Sequence, residues 1–189
     1  MNTDISVIIS GFGGQGALFA GILLCHAAVI DNKHTTWFPA YGAEMRGGAV
    51  NCSVNISDEE VPSPIIDEAD AVIALNDASI VRFEKKVKKG GFMIVNSSLS
   101  QSEPTRKDIK YINIPLNELC QKVQPKGFPN VMALGAFIEY TKVLSTNALI
   151  DAMKEMSKKV SAKKAALLDA NIESFKRGIQ LIKDELITV

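Results

Sequence analysis

Gly11-Phe12-Gly13-Gly14-Gln15-Gly16 satisfies the pattern G-x-G-x-x-G. Glycine at those three positions permits a tight turn, close approach of a bound group to the backbone, and close helix–sheet packing. A helix starting behind the last glycine presents free N–H groups and a partial positive charge, which suits phosphate. The same glycines also fit a turn that only lets the helix pack tightly. A second segment, Tyr41-Gly42-Ala43-Glu44-Met45-Arg46-Gly47-Gly48, sets an arginine beside two glycines. There a planar, permanently charged fork can meet carboxylate or phosphate against bare backbone. Arg46 can equally pair with Glu44 or another acid. The candidate binding residues are therefore Gly11, Gly13, Gly14, Gln15, Gly16, Arg46, Gly47 and Gly48. No residue is assigned a catalytic or metal-binding role.

Two specific readings of the glycine loop fail on other residues. A dinucleotide site wants an acid about 20 residues on, at the end of the second strand, for the ribose hydroxyls. Here that strand reads Thr36-Trp37-Phe38-Pro39, with Asp31 before it and Glu44 beyond the proline. A P-loop wants Gly-Lys-Ser/Thr, but Ala17-Leu18 follows Gly16. His26 and His34 share no metal-ligand spacing and read as structural or exposed, and Cys25 as a small core hydrophobe. The 3 cysteines, Cys25, Cys52 and Cys120, form neither a disulfide scaffold nor a zinc or iron–sulfur framework.

The elements that must position the loop follow from periodicity. Ile5 to Ile9 is a short β-branched run ending at the glycines, a buried strand. Gln15 to Ile30 reads as a helix apolar nearly all round. His34 to Phe38 is a strand stopped by Pro39, and Ala49 to Ile56 alternates with a period of two, a strand with one wet face. Ala71 to Leu75 is a buried strand, with Asn76 or Asp77 capping a helix through about Val87. Gly90-Gly91 ends that unit, and Phe92 to Val95 and Tyr111 to Ile114 are strands. Helices follow at Leu116 to Val123, at Val131 to Leu144 with Asn130 as cap, and at Asn147 to Met156. Ala165, Leu168, Ile172, Phe175, Ile179, Ile182 and Leu186 make one apolar stripe, read as a helix packed on its own sheet or as a subunit contact. Strands alternating with helices predict an α/β, Rossmann-like fold with a mostly parallel sheet, flanking helices and a helical C-terminal region from about residue 129. The strand at Ala49 follows its predecessor without a helix, so it is expected to be antiparallel or an edge insertion. The chain reads as one domain over residues 1–189.

The 189 residues carry 21 Lys+Arg against 21 Asp+Glu, so neither nucleic acid nor an anionic membrane has a basic excess to attract. No run reaches the roughly 18 apolar residues of a membrane span. The start, MNTDISVIIS, has an acid where a secretory signal would be basic. A cytoplasmic setting is expected.

Four ordered segments together resemble a known family. G-F-G-G-Q-G is similar to the glycine signature of the gamma subunits of 2-oxoacid:ferredoxin (acceptor) oxidoreductases. Pro39 to Val54 (PAYGAEMRGGAVNCSV), Ile56 to Asn76, and Asn130 to Ala136 (NVMALGA) resemble its later segments. The E-M-R-G-G-x-x-N-C form looks more like the 2-oxoglutarate and 2-oxoisovalerate members. The resemblance implies a non-catalytic subunit of an enzyme that oxidatively decarboxylates a 2-oxoacid to an acyl-CoA and passes electrons to ferredoxin. It implies partner subunits of alpha and beta type, with a delta type as an optional further one, which carry thiamine diphosphate and the iron–sulfur clusters. Coenzyme A is the one cofactor this chain would contact, through the glycine loop and Arg46. An independent nucleotide- or CoA-binding Rossmann-like domain, or a dehydrogenase, is the alternative.

Overall fold

The computed structural model describes residues 4–41, 48–123, 127–158 and 162–187. Six strands form one sheet: β1 (Ile5–Phe12), β2 (His34–Tyr41), β3 (Ala49–Ser57), β4 (Ala69–Ala74), β5 (Val87–Asn96) and β6 (Lys110–Ile114). Their order is β2-β3-β1-β4-β5-β6. β4, β5 and β6 continue β1 in parallel, whereas β3 is antiparallel to both β1 and β2. β3 is thus the one reversed strand among them, as its helix-free connection predicts. It lies inside the sheet, however, and β2 takes the edge. That placement explains why Pro39 does not stop β2: the strand runs on to Tyr41 with Pro39 opposite Cys52, because an edge strand tolerates a residue without an N–H.

The helices are α1 (Ala17–Ile30), α2 (Asp77–Phe83), α3 (Leu116–Gln121), α4 (Pro129–Thr141), α5 (Thr146–Lys158) and α6 (Ala162–Ile187). Odd-numbered side chains of β1 and β4, such as Val7, Ile9, Ala71 and Ile73, join α1 and α4 in one core. Ile8, Val72 and Ala74 point the other way and meet Ile80 and Phe83 of α2. α1 and α2 therefore lie on opposite faces. α2 is shorter than expected: after Phe83 the chain makes a 3-10 turn over Glu84–Lys86, and Val87 already belongs to β5.

α4 is buried along Asn130 to Glu139, between the sheet and α6. The stripe on α6 packs there, on a helix and not on the sheet, with Phe175 and Ile182 fully covered. The side chains of Ala165 and Leu186 lie outside the described ones. A close crossing makes this possible: a Cβ on Gly135 would fall on the Phe175 carbonyl, and one on Gly178 on the Met132 carbonyl. α4 ends at Thr141 and not at Leu144, because Lys142 turns into the left-handed region with φ 56°. Among the described residues no helix is long and apolar enough to cross a membrane.

Candidate functional site

β1 carries its backbone as far as Phe12, so Gly11 is still strand, paired opposite Val50 of β3. The turn that follows needs glycine twice, with Gly14 at φ 103° and Gly16 at φ 79°. Gly14 faces open space, whereas a Cβ on Gly16 would stand 2.5 Å from Asn130 Nδ2. α1 then starts at Ala17 with no side-chain cap, its first helical bond running from Ala20 N–H to Gly16 O. Within the loop, Gly13 N–H donates to Gly48 O at 2.9 Å and Gln15 N–H to Phe12 O at 3.0 Å. The N–H groups of Gly14, Gly16 and the first turn of α1 remain, an arrangement suited to an anion.

The Gln15 side chain is turned inward. Its Oε1 accepts from Phe12 N–H at 2.6 Å and from Asn76 Nδ2 at 2.7 Å, and its Nε2 donates to Leu75 O at 3.2 Å. Gln15 thus ties the loop to the end of β4, and Asn76 also caps α2 by accepting from Ser79 N–H. The sequence places Gln15 among the binding residues; in the structure its carboxamide holds the loop's shape.

The second glycine segment meets the first. The Gly13–Gly48 hydrogen bond joins them where β1 and β2 end and β3 begins. Arg46 and Gly47 lie outside the described residues, between Tyr41 and Gly48. Asn130 departs from its expected role. Phe128 occupies the N-cap position of α4 and Pro129 leads the helix. The Asn130 side chain donates instead to Gly16 O at 3.0 Å, across 114 residues of sequence. α6 sets this approach, since Ser174 Oγ accepts from Phe128 N–H at 2.9 Å.

Beside the loop opens a cleft of about 650 Å³ at the carboxyl ends of β4 and β5. This is where α1 and α2 leave for opposite faces, the place where open α/β sheets bind ligands. Five carboxamides reach it: Gln15, Asn96, Asn117, Asn130 and Asn171. Only Gln15 was a candidate. Asn96 ends β5 as Asn76 follows β4, and an asparagine at successive strand ends was the available signal.

The strand order weighs against nicotinamide binding beyond the missing acid. β3 stands between β1 and β2, so the end of β2 is roughly 10 Å from the loop's own strand. Nor is there a reactive thiol among the cysteines. Burial pushes Cys52 up to about 12 and Cys120 up to about 11, and Cys25 is raised for the same reason. His26 and His34 are exposed. No group of three potential metal ligands occurs among the described residues.

The chain matches the family described as pyruvate ferredoxin/flavodoxin oxidoreductase over residues 6–181. It is 32% identical over 184 residues to the ketoisovalerate oxidoreductase subunit VorA of Methanothermobacter thermautotrophicus, covering 97% of this chain and 37% of that one. The chain thus spans little more than a third of that relative's length. It is 29% identical over 179 residues to the 2-oxoglutarate synthase subunit KorC of Methanocaldococcus jannaschii, covering 93% and 92% of the two. Among solved structures, the gamma subunit of keto/oxoacid ferredoxin oxidoreductase from Geobacter sulfurreducens superposes with a TM-score of 0.79 at 27% identity, over 95% of this chain and 99% of that one. A 2-oxoglutarate:ferredoxin oxidoreductase from Magnetococcus marinus, solved with 2-oxoglutarate, coenzyme A and succinyl-CoA bound, shares the fold at a TM-score of 0.83 and 23% identity, over 96% of this chain and 31% of that one.

Proposed function

The chain belongs to the pyruvate ferredoxin/flavodoxin oxidoreductase family, and from that premise we propose that it is the gamma-type subunit of a multisubunit 2-oxoacid:ferredoxin (acceptor) oxidoreductase, with 2-oxoglutarate as the favoured substrate. The observation that carries this is the near end-to-end match to a separate 2-oxoglutarate synthase subunit, 93% of this chain against 92% of that one. All 189 residues then form one gamma-type domain, working in the cytoplasm beside alpha- and beta-type subunits, with ferredoxin or another low-potential carrier as acceptor.

The reaction joins a 2-oxoacid to CoA, releases carbon dioxide and delivers two electrons to the acceptor. The carbanion left by decarboxylation needs an electron sink, which thiamine diphosphate supplies when bound on a partner chain. This sequence contains no Gly-Asp-Gly, the stretch that normally marks a thiamine site, and its 3 cysteines are fewer than the four one cluster takes. Its own contribution is to hold coenzyme A. The open N–H groups of Gly14, Gly16 and the first turn of α1 fit a phosphate. Gly11 leaves room for the Gln15 carboxamide that shapes the loop, Gly13 keeps the turn bare, and Arg46, between Tyr41 and Gly47-Gly48, supplies a charged fork. Arg46→Ala in the assembled enzyme is expected to raise the KM for CoA about tenfold or more while leaving assembly intact, since charge-assisted hydrogen bonds contribute about 1.5–3 kcal/mol. Steady-state kinetics at varied CoA checks this, and an unchanged KM rejects Arg46 as a phosphate ligand.

A further inference from the structure

The amino ends of β1, β4, β5 and β6 and the carboxyl end of β3 share one end of the sheet, away from the glycine loop. Charge is divided along it in strand order. On the β3–β1–β4 side Glu59, Glu60, Asp67 and Glu68 are exposed, and none of them pairs with a cation among the described residues. Lys33, on that side, pairs with Asp58. On the β5–β6 side Lys85, Lys88, Lys89, Lys107 and Lys110 are exposed. The two halves border at the Asp70–Lys88 pair, 2.7 Å apart. The zero net charge of the chain therefore conceals an acidic half and a basic half at one end of the molecule.

The two halves also differ in shape. Ala69 pairs with Val87 and Ala71 with Phe92, so Lys88 to Gly91 stand against Asp70 alone and bow out of the ladder. Gly90 turns this bulge at φ 80°, and its N–H donates to Asp108 O at 2.8 Å. Arg106 braces the base of the bulge, donating to Glu84 O at 3.0 Å and pairing with Asp108 at 2.6 Å. Arg106 and Asp108 thus serve each other, and the lysines face solvent. The acidic half is hollowed by about 520 Å³, lined by its four exposed acids and by Ile65, which is 67% exposed.

We propose that two copies of this chain meet at this end across a two-fold axis, the β5 bulge of each entering the acidic hollow of the other. A uniformly acidic partner gains on the lysine half and is repelled by the acidic half; nucleic acid and an anionic membrane meet the same repulsion, and a basic partner meets the reverse. A second copy, turned about the Asp70–Lys88 border, sets acids on lysines twice. Ile65 then packs on the aliphatic stems of those lysines. Six strands about 4.8 Å apart make an end about 24 Å wide, so with its helix layers the contact buries about 1,000 Å² in all, the low end for a specific interface. The dimer is therefore weak and held largely by charge. Nothing in this contact depends on what the glycine loop binds.

Sedimentation velocity of the full chain, over a concentration series, tests this. A dimer is expected at about 0.01 M salt, with association weakened about tenfold or more at about 0.15 M, where the screening length falls from about 30 Å to about 8 Å. Two triple variants leave the Asp70–Lys88 pair intact: Lys85→Glu with Lys89→Glu and Lys107→Glu, and Glu59→Lys with Glu60→Lys and Glu68→Lys. Each alone is expected to be monomeric at low salt. Their equimolar mixture is expected to dimerise, because each then offers the charge the other lacks. A wild-type chain that stays monomeric at low salt overturns the proposal, whatever else covers this end. So does a dimer indifferent to salt, a variant that dimerises alone as wild type does, or two folded variants that fail to combine. The wild-type measurement does not depend on how either variant folds.

Discussion

At the residue scale, Gly16 and Asn130 define each other. Gly16 sits at φ 79°, a conformation that costs an L side chain about 1–2 kcal/mol, and the Asn130 amide fills the space a Cβ would take. Gly16→Ala should therefore lower the melting temperature by roughly 2–8 °C for a chain of this size. In an Asn130→Ala background the same change should cost less but not nothing, because the contact is gone and the left-handed backbone remains. Equal melting temperatures for wild type and Gly16→Ala would contradict this geometry. Asp70 illustrates a different residue-level effect, at the opposite end of β4. Burial alone would raise its carboxyl, but Lys88 and the Ser6 hydroxyl and N–H outweigh burial and hold it below the ordinary carboxylate value. A depressed folded value means that the stabilisation is fully present above the unfolded value of 3.8 and is lost as pH falls through the folded one. Asp70→Asn should thus be less stable than wild type at pH 7, with the difference narrowing below about pH 4. Urea midpoints across that range measure it; a constant difference would show that the charge plays no part.

At the scale of elements, the α4–α6 crossing decides whether a helix-favouring substitution helps or harms. Gly178→Ala would gain about 1 kcal/mol in an open helix. Here the new methyl falls on the Met132 carbonyl, and overpacking of that kind costs about 1–3 kcal/mol, so the clash should win. The urea midpoint should drop; a rise would mean that the helices part easily. The same scale shows what a sequence can and cannot convey. Ile5 to Ile9 running into the glycines is legible because β-branched runs and positive-φ turns leave local marks, while the extension of the strand to Phe12 is not. Pro39 misleads because its tolerance depends on β2 lying at the sheet edge, a property of strand order. Asn130 misleads because the cap rule looks at neighbours in sequence, while its partner, Gly16, lies 114 residues away. The carboxamide cleft draws on β5 and on five helices, and its members look unrelated until the sheet order brings them together. The α6 stripe has the period of a packed helix, but period alone does not name the surface it packs on.

At the scale of the whole molecule, the fold supplies a bare glycine turn suited to an anion, a cleft beside it and a core that fixes both, while burial raises the pKa of the cysteine thiols. On the function proposed above, such a molecule works by completing an assembly. The most direct measurement is reduction of a viologen dye with thiamine diphosphate, magnesium, coenzyme A and 2-oxoglutarate. It is run on this chain alone, on the other subunits alone, and on the two combined. Negligible turnover from this chain, with full CoA-dependent turnover only in the combination, is the predicted result. Turnover by the isolated chain comparable with the assembly, or full activity of the other subunits without it, would contradict the account.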